Sequence, residues 1–310
     1  MHEQVFNPIS FPALGITIDP NPVAFTVFGV PIYFYGIIIG LGFVIALLYA
    51  LSQCERHGID QDTLLDFVLV ATPAAIIGAR VYYVLNNLSL YETFWDVINI
   101  RKGGMAIYGA VIVGAVTAVV FFKLKKKSPL PMMDIGSIGL LIGQSVGRWA
   151  NFINREAYGG LCDLPWRMEI YSHYYQERVC VHPTFLYESL WNLIGIIFLH
   201  NYSKKKKFSG EIFLLYVGWY GLGRSMIEGL RMDSLFLLDT SIRISQLVGI
   251  LSFAVAAVML IVLRKSKRHE AAPSLDGGNM QPEEVKTTQA ESQKDVEAVE
   301  ATDKEESADL

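Results

Sequence analysis

Residues Ile32–Leu51, IYFYGIIIGLGFVIALLYAL, run for 20 positions without a charged side chain. At a rise of ~1.5 Å per residue, a helix of that length crosses the ~30 Å of hydrocarbon in a bilayer. A strand is excluded, because lipid offers no partner to the N–H and C=O groups of an open sheet edge. Six further stretches have the length and apolarity of spans, near Leu65–Leu85, Met105–Phe122, Met132–Trp149, Phe185–Tyr202, Ile212–Gly229 and Ile244–Leu263. Of the 310 residues 52% are hydrophobic and 18% charged, against about a quarter charged in an ordinary soluble domain, which rules out a soluble globular enzyme. The expected fold class is an all-α polytopic membrane protein with seven transmembrane helices.

Charge is unevenly placed along the chain. Residues His269 to Leu310 hold 12 Asp and Glu against 3 Lys, a net −9, which leaves +5 on residues 1–268 and gives the −4 of the whole. Two domains are therefore expected: a membrane domain over 1–265, and an acidic, disordered cytoplasmic tail over 266–310. Lys and Arg gather on the cytoplasmic side of membrane proteins. The tetrads Lys123, Lys125, Lys126, Lys127; Lys204 to Lys207; and Arg264, Lys265, Lys267, Arg268 alternate with the spans so that the N-terminus lies outside and the C-terminus inside. Each tetrad reads as a solvated edge facing lipid headgroups. Met1 to Pro31 carries no Lys or Arg to form the basic head of a cleavable signal peptide, so the first span is expected to be retained.

Two outer segments are more than connectors. In the second loop Tyr91, Phe94, Trp95 and Ile98 fall at i, i+3, i+4, i+7, the spacing of an interfacial helix lying on the outer leaflet. The long fourth connection, Asn151 to His182, forms an outer loop domain whose Cys162 and Cys180 are either paired or both free. Three cysteines make neither a disulfide scaffold nor a Cys-rich metal site, and no metal, cofactor or nucleic-acid partner is expected.

Ionisable groups inside a bilayer are costly, so those within spans are functional candidates by default. On this topology Arg80 ends the second span and Arg148 the fourth. Tyr187 and Glu188 open the fifth, Arg224 and Glu228 share the last turns of the sixth, and Arg243 and Gln246 open the seventh. Tyr35 and Tyr108 occupy the same level. Any one of these is as readily a snorkelling or structural residue. Convergence from every span on one outer layer, four Arg against two Glu, instead describes a pocket for an anionic phospholipid headgroup, since guanidinium offers bidentate hydrogen bonds and stays charged when desolvated.

The segment Gly147-Arg148-Trp149-Ala150-Asn151-Phe152-Ile153-Asn154-Arg155-Glu156-Ala157-Tyr158-Gly159 closely resembles the signature of the bacterial phosphatidylglycerol:prolipoprotein diacylglyceryl transferases. Tyr35-Gly36, Gly78-Ala79-Arg80, Gly103-Gly104-Met105, His182-Pro183-Thr184 with Tyr187-Glu188, and Tyr220-Gly221-Leu222-Gly223-Arg224 with Glu228 match in order, so the resemblance covers residues 10–265. It implies an enzyme of the bacterial inner membrane. The enzyme moves the diacylglyceryl group of phosphatidylglycerol to the lipobox cysteine of a prolipoprotein signal peptide and releases glycerol phosphate. It further implies that Arg148 and Arg224 are catalytic and hold the phosphate. Tyr35, Arg80, Asn151, Asn154, Glu156, Gly159, Tyr220 and Glu228 would line the substrate site, Glu228 by holding Arg224 from one helical turn away.

One position departs from that pattern. Tyr108 stands after Gly-Gly-Met-x-x where many relatives have a His proposed as general base, and a phenol of pKa ~10 is a weaker base than an imidazole at ~6.5. Tyr108 therefore enters as a catalytic candidate, either as a proton relay or as a hydrogen-bonding spacer. Two other classes compete. Gly143-Gln144-Ser145-Val146-Gly147 fits the G-x-S-x-G pattern of a serine hydrolase, but Gly139, Gly143 and Gly147 also recur at the spacing of close helix packing. A non-enzymatic transporter or binding protein for anionic lipid would place its polar groups near the midplane.

Overall fold

All seven expected spans are helices: α1 Phe34–Gln53, α2 Gln61–Asn86, α4 Ile107–Leu124, α5 Leu130–Asn154, α6 Thr184–Ser203, α7 Glu211–Ile227 and α8 Ile244–Lys265. Between α2 and α4 lies a five-residue helix, α3 Phe94–Ile98. The computed structural model describes residues 7–100, 103–232, 234, 236, 240 and 242–266, so Arg101, Lys102, Lys267, Arg268 and the acidic tail lie outside it.

Four helices, α1, α2, α4 and α8, are long and apolar enough to cross a membrane. Large exposed apolar side chains such as Leu48, Leu69, Val111 and Ile250 crowd their surfaces. The remaining three, α5, α6 and α7, carry buried polar residues, among them Asp134, Glu188, Asn192 and Glu211. They pack against one another, with α1 against α5 and α8 against α7. Polar groups therefore concentrate on the inner helices and apolar ones on the outer, the reverse of a water-soluble bundle.

Glycine sets the closest crossings. A Cβ on Gly109 of α4 would stand 2.2 Å from the Gly78 carbonyl of α2, and one on Gly221 of α7 would stand 2.5 Å from the Gly249 carbonyl of α8. Such approach is how helices gain dispersion contacts where lipid gives no hydrophobic drive to associate. The stripe Gly139, Gly143, Gly147 faces α1, with Ala46, Gly42 and Ile39 opposite.

The chain is mostly helical but not all-α. Strands β1 Ile9–Phe11, β2 Ile16–Ile18, β5 Met168–Ser172 and β6 Glu177–Val181 form one antiparallel sheet in the order β2-β1-β5-β6. A separate hairpin pairs β3 Val23–Val27 with β4 Val30–Tyr33. The alternation Met168, Ile170 and Val179, Val181 buries one sheet face, with Ile9, against Phe185 at the start of α6 and Phe152 near the end of α5. Phe152 and Phe185 lie with ring centroids 4.6 Å apart. The sheet thus clamps together the ends of the two helices that carry Arg148 and Glu188. Strands this short lack the length for an alternation signal, and β1 pairs with β5 across about half the chain, Ser10 opposite Glu169, which explains why local pattern did not reveal them.

Leu161 faces Val181 in an antiparallel bridge, and the Cys162 N–H donates to the Cys180 carbonyl at 3.0 Å, so the two cysteines are directly opposed. Both thiols are free. The helix expected to be interfacial is shorter than its spacing suggested: Phe94, Trp95 and Ile98 are exposed on α3, whereas Tyr91 precedes it and lies under the Arg80 guanidinium, 5.2 Å away.

The lysine tetrads are not uniformly solvated. Lys125 pairs with Asp66 at 2.9 Å and Lys127 with Asp60 at 2.6 Å, both exposed. Lys206 is instead buried against Asp134 at 3.1 Å, and the same Asp134 carboxylate accepts from the Gly210 and Phe213 N–H groups that begin α7. Lys206 also donates to His57 Nδ1 at 3.0 Å; burial first, then the charges of Lys206 and Arg56, lower the His57 pKa to about 3, so the ring stays neutral. Removing one partner of a buried pair leaves the other charge uncompensated, and Lys206→Met is expected to destabilise the fold by about 3–5 kcal/mol. A thermal melt in detergent checks this, with the exposed Lys204→Met as the variant expected to melt like wild type.

Candidate active site

The signature segment forms the last turns of α5 and the loop after it. Arg155 ends the helix in the left-handed region at φ 56, a conformation held from outside: its guanidinium donates to the Asn7 carbonyl at 2.6 Å and pairs with Asp19 at 2.7 Å. Gly159, at the end of the segment, closes a junction. Its N–H donates to the His182 carbonyl, it bridges Arg231, and a Cβ there would lie 2.7 Å from His182 Cβ. That junction brings the end of α5, the start of α6 and the end of α7 together.

Where they meet, three arginines converge on one carboxylate. Glu188 Oε2 lies 2.6 Å from Arg148 Nη2 and 3.6 Å from Arg224 Nη1, while its Oε1 lies 3.2 Å from Arg231 Nη1. Arg224 Nη2 also pairs with Glu228 Oε2 at 2.6 Å, one turn along α7. Glu188 is 7% exposed and Glu228 1%. Buried charges persist only when paired, and here Arg148, Arg224 and Arg231 are set against Glu188 and Glu228. Arg243 adds a further guanidinium by donating to the Glu228 backbone carbonyl at 2.9 Å. A second arm runs from Arg148, which donates to Asn151 Oδ1 at 3.2 Å, while Asn151 Nδ2 donates to Glu156 at 2.7 Å. Tyr220, on α7, lines a small cavity shared with Glu188 and Arg224.

Other expected residues are not brought to this cluster. All five N–H groups of Arg80 end on backbone carbonyls of Asp96, Val97, Asn99, Gly103 and Gly104, at 2.6 to 3.3 Å. No donor remains for a phosphate, and Arg80 organises the loop between α2 and α4. Tyr108 is 44% exposed on α4 and rests against Tyr82, with no hydrogen bond or ring contact to the arginines among the described residues. Tyr35 is likewise exposed, on the first turn of α1, and Asn154 makes no side-chain hydrogen bond among the described residues. Sequence placed Glu188 on this layer without making it the centre, and it did not single out Arg231, which falls just past the sixth span and so reads as a loop residue. The nearest sequence signal for Arg231 is its place three residues after Glu228.

Among the described residues no base stands beside Ser145. Its hydroxyl donates to the Ser189 carbonyl at 3.0 Å and meets Ser189 Oγ at 3.2 Å, a hydrogen-bonded seam between α5 and α6. With the glycine stripe on α1, the G-x-S-x-G pattern is helix packing.

Residues 22–262 match the family profile described as prolipoprotein diacylglyceryl transferase. A phosphatidylglycerol–prolipoprotein diacylglyceryl transferase of Clostridium botulinum is 39% identical over 259 residues, covering 80% of this chain and 100% of its own length. Proteins of the same name from Oceanobacillus iheyensis and Finegoldia magna are each 41% identical, over 270 and 245 residues, covering 81% and 78% of this chain and 91% and 96% of their own. The profile spans all seven long helices and the arginine cluster between them, and the chain belongs to the prolipoprotein diacylglyceryl transferase family.

Proposed function

We propose that this chain transfers the diacylglyceryl group of phosphatidylglycerol to the lipobox cysteine thiol of a prolipoprotein signal peptide. The observation that carries the reading is the convergence of Arg148, Arg224 and Arg231 on Glu188, which gathers guanidinium donors where a phosphodiester would bind. In the reaction the thiol loses its proton and the thiolate attacks the glyceryl carbon that bears the phosphate ester. A C–S bond forms, the C–O bond breaks with its electron pair going to oxygen, and glycerol phosphate leaves as a phosphate monoester. Negative charge grows on that phosphate as the bond breaks, which is where fixed guanidinium donors lower the barrier. Positive charge beside the thiol also favours its thiolate. An apolar cavity of about 480 Å³, lined on α5 by Val146, Trp149 and Phe152 and on α1 by Ile38 and Leu41, lies along the helix that carries Arg148 and suits an acyl chain.

In this reading seven helices span a bacterial inner membrane, N-terminus out and C-terminus in. The sheet and α3 lie on the outer side, the membrane domain ends near residue 265, and the acidic tail is cytoplasmic. The deciding experiment is thiol-dependent release of glycerol phosphate from phosphatidylglycerol vesicles by the purified protein with a lipobox peptide; no release, or release independent of the thiol, defeats the assignment.

Tyr108 acts here as a spacer rather than an obligatory base, because it is exposed and lies against Tyr82 instead of the arginines. Tyr108→Phe is expected to lower the rate less than tenfold, with the loss shrinking as pH rises. A general base contributes ~10²–10⁴-fold, so a defect of that size persisting above the thiol's pKa of ~8.5 reverses the assignment.

A further inference from the structure

One turn beyond Glu188 on α6 stands Asn192, 4% exposed, whose side-chain amide makes no hydrogen bond among the described residues. The amide borders a cavity of about 10 Å³ whose other polar walls are Glu188, Tyr220 and Arg224. Trp191 and Gly223 close it: a Cβ on Gly223 would lie 2.1 Å from Trp191 Nε1, so only glycine lets the indole seal that side. The Trp191 indole is fixed in turn by donating to the Trp219 carbonyl at 3.1 Å, with Trp219 returning the bond to the Trp191 carbonyl at 3.2 Å.

An amide with two donors and an acceptor, facing a cavity between helices with no hydrogen bond among the described residues, has capacity for a partner there. The space beside it has the size of one oxygen-centred group, since a cavity of ~10–15 Å³ holds a single water. We propose that Asn192 and Tyr220 hold one hydroxyl-sized oxygen beneath the arginine cluster, and that this oxygen bridges to Glu188 and fixes the orientation of Arg224. Asn192 is then a positioning residue. The occupant both donates and accepts: it accepts from the Asn192 amide and donates to the Glu188 carboxylate. A resident water has that chemistry, and so does a hydroxyl of the lipid. Glu188 contacts Arg148, Arg224 and Arg231, so an oxygen that sets its carboxylate rotamer sets all three guanidinium groups. The inference rests on the assignment of Arg224 to the phosphate.

Two readouts test it. A structure of the lipid-free protein at a resolution that shows waters is expected to carry one peak between Asn192 and Tyr220. A peak present only with phosphatidylglycerol bound assigns the oxygen to the lipid, and an empty cavity in both overturns the proposal. In kinetics with phosphatidylglycerol vesicles and a lipobox peptide, Asn192→Leu fills the space with apolar atoms. It is expected to lower kcat about tenfold with KM for the lipid within twofold, while melting at or above the wild-type temperature. Asn192→Ser leaves room for the oxygen and is expected to recover at least half the rate, although it packs less well. Packing alone predicts the opposite order, Leu active and Ser impaired, and that result overturns the proposal. Wild-type protein that shows the peak but no transfer refutes the transferase reading and leaves the oxygen site standing.

Discussion

Arg224→Lys and Arg148→Lys each lower transfer by about 10²–10³-fold, the range found on removing one donor from a preorganised anion site, while the protein remains folded in the membrane. Each guanidinium places its two ends on different partners. Arg148 places Nη2 on Glu188 and Nη1 on Asn151, and Arg224 places Nη2 on Glu228 with Nη1 toward Glu188. A lysine ammonium can satisfy one carboxylate as a point charge, so the buried pairing survives and so does the fold. It cannot hold that carboxylate and at the same time present a second, fixed N–H to a phosphate oxygen. Single-turnover transfer from labelled phosphatidylglycerol to a lipobox peptide measures the loss directly. Near-normal turnover in both lysine variants removes the phosphate from these arginines.

The helices were legible because they are long, largely apolar stretches of about the length that a bilayer crossing takes, and every expected span overlaps an observed helix. The cluster was legible only in part. Depth along a helix follows from sequence, and it put Arg148, Arg224, Glu188 and Glu228 at one level. Azimuth does not follow where a helix is apolar nearly all round, and so Arg80 and Tyr108 also seemed to share the pocket. Arg80 faces its own loop, where the backbone carbonyls of Asp96, Val97, Asn99, Gly103 and Gly104 capture it. Arg231 enters because the junction at Gly159 folds the end of α7 back over Glu188, a contact between segments far apart in the chain. The burial of Lys206 has the same cause. A charge run marks the inner edge of the bilayer, but which of its members turns inward depends on the acidic residue of another helix, here Asp134.

Glu188→Gln is expected to lower kcat by about 10²-fold or more while lowering, not raising, the apparent KM for phosphatidylglycerol. The substitution keeps shape and removes one negative charge from among the guanidinium groups of Arg148, Arg224 and Arg231, so the site becomes more positive by one charge. An anion then binds more tightly, but substrate, transition state and the departing glycerol phosphate all gain, and uniform gain does not accelerate the chemical step. What is lost is the fixed placement of Arg148 and Arg224, the part of the site that acts only as charge develops on the leaving oxygen. Stability should follow the same electrostatics. Without ligand the variant melts lower than wild type, since like charges are buried without a counterion, and inorganic phosphate raises its midpoint more than it raises that of wild type. Glu188→Asp, one methylene shorter, falls between them because the charge remains but cannot reach all three partners. If Glu188→Gln instead raised KM and left kcat unchanged, Glu188 would be a direct contact of the lipid. A variant indistinguishable from wild type in rate, KM and phosphate-dependent melting would deny it the central place that three converging arginines give it.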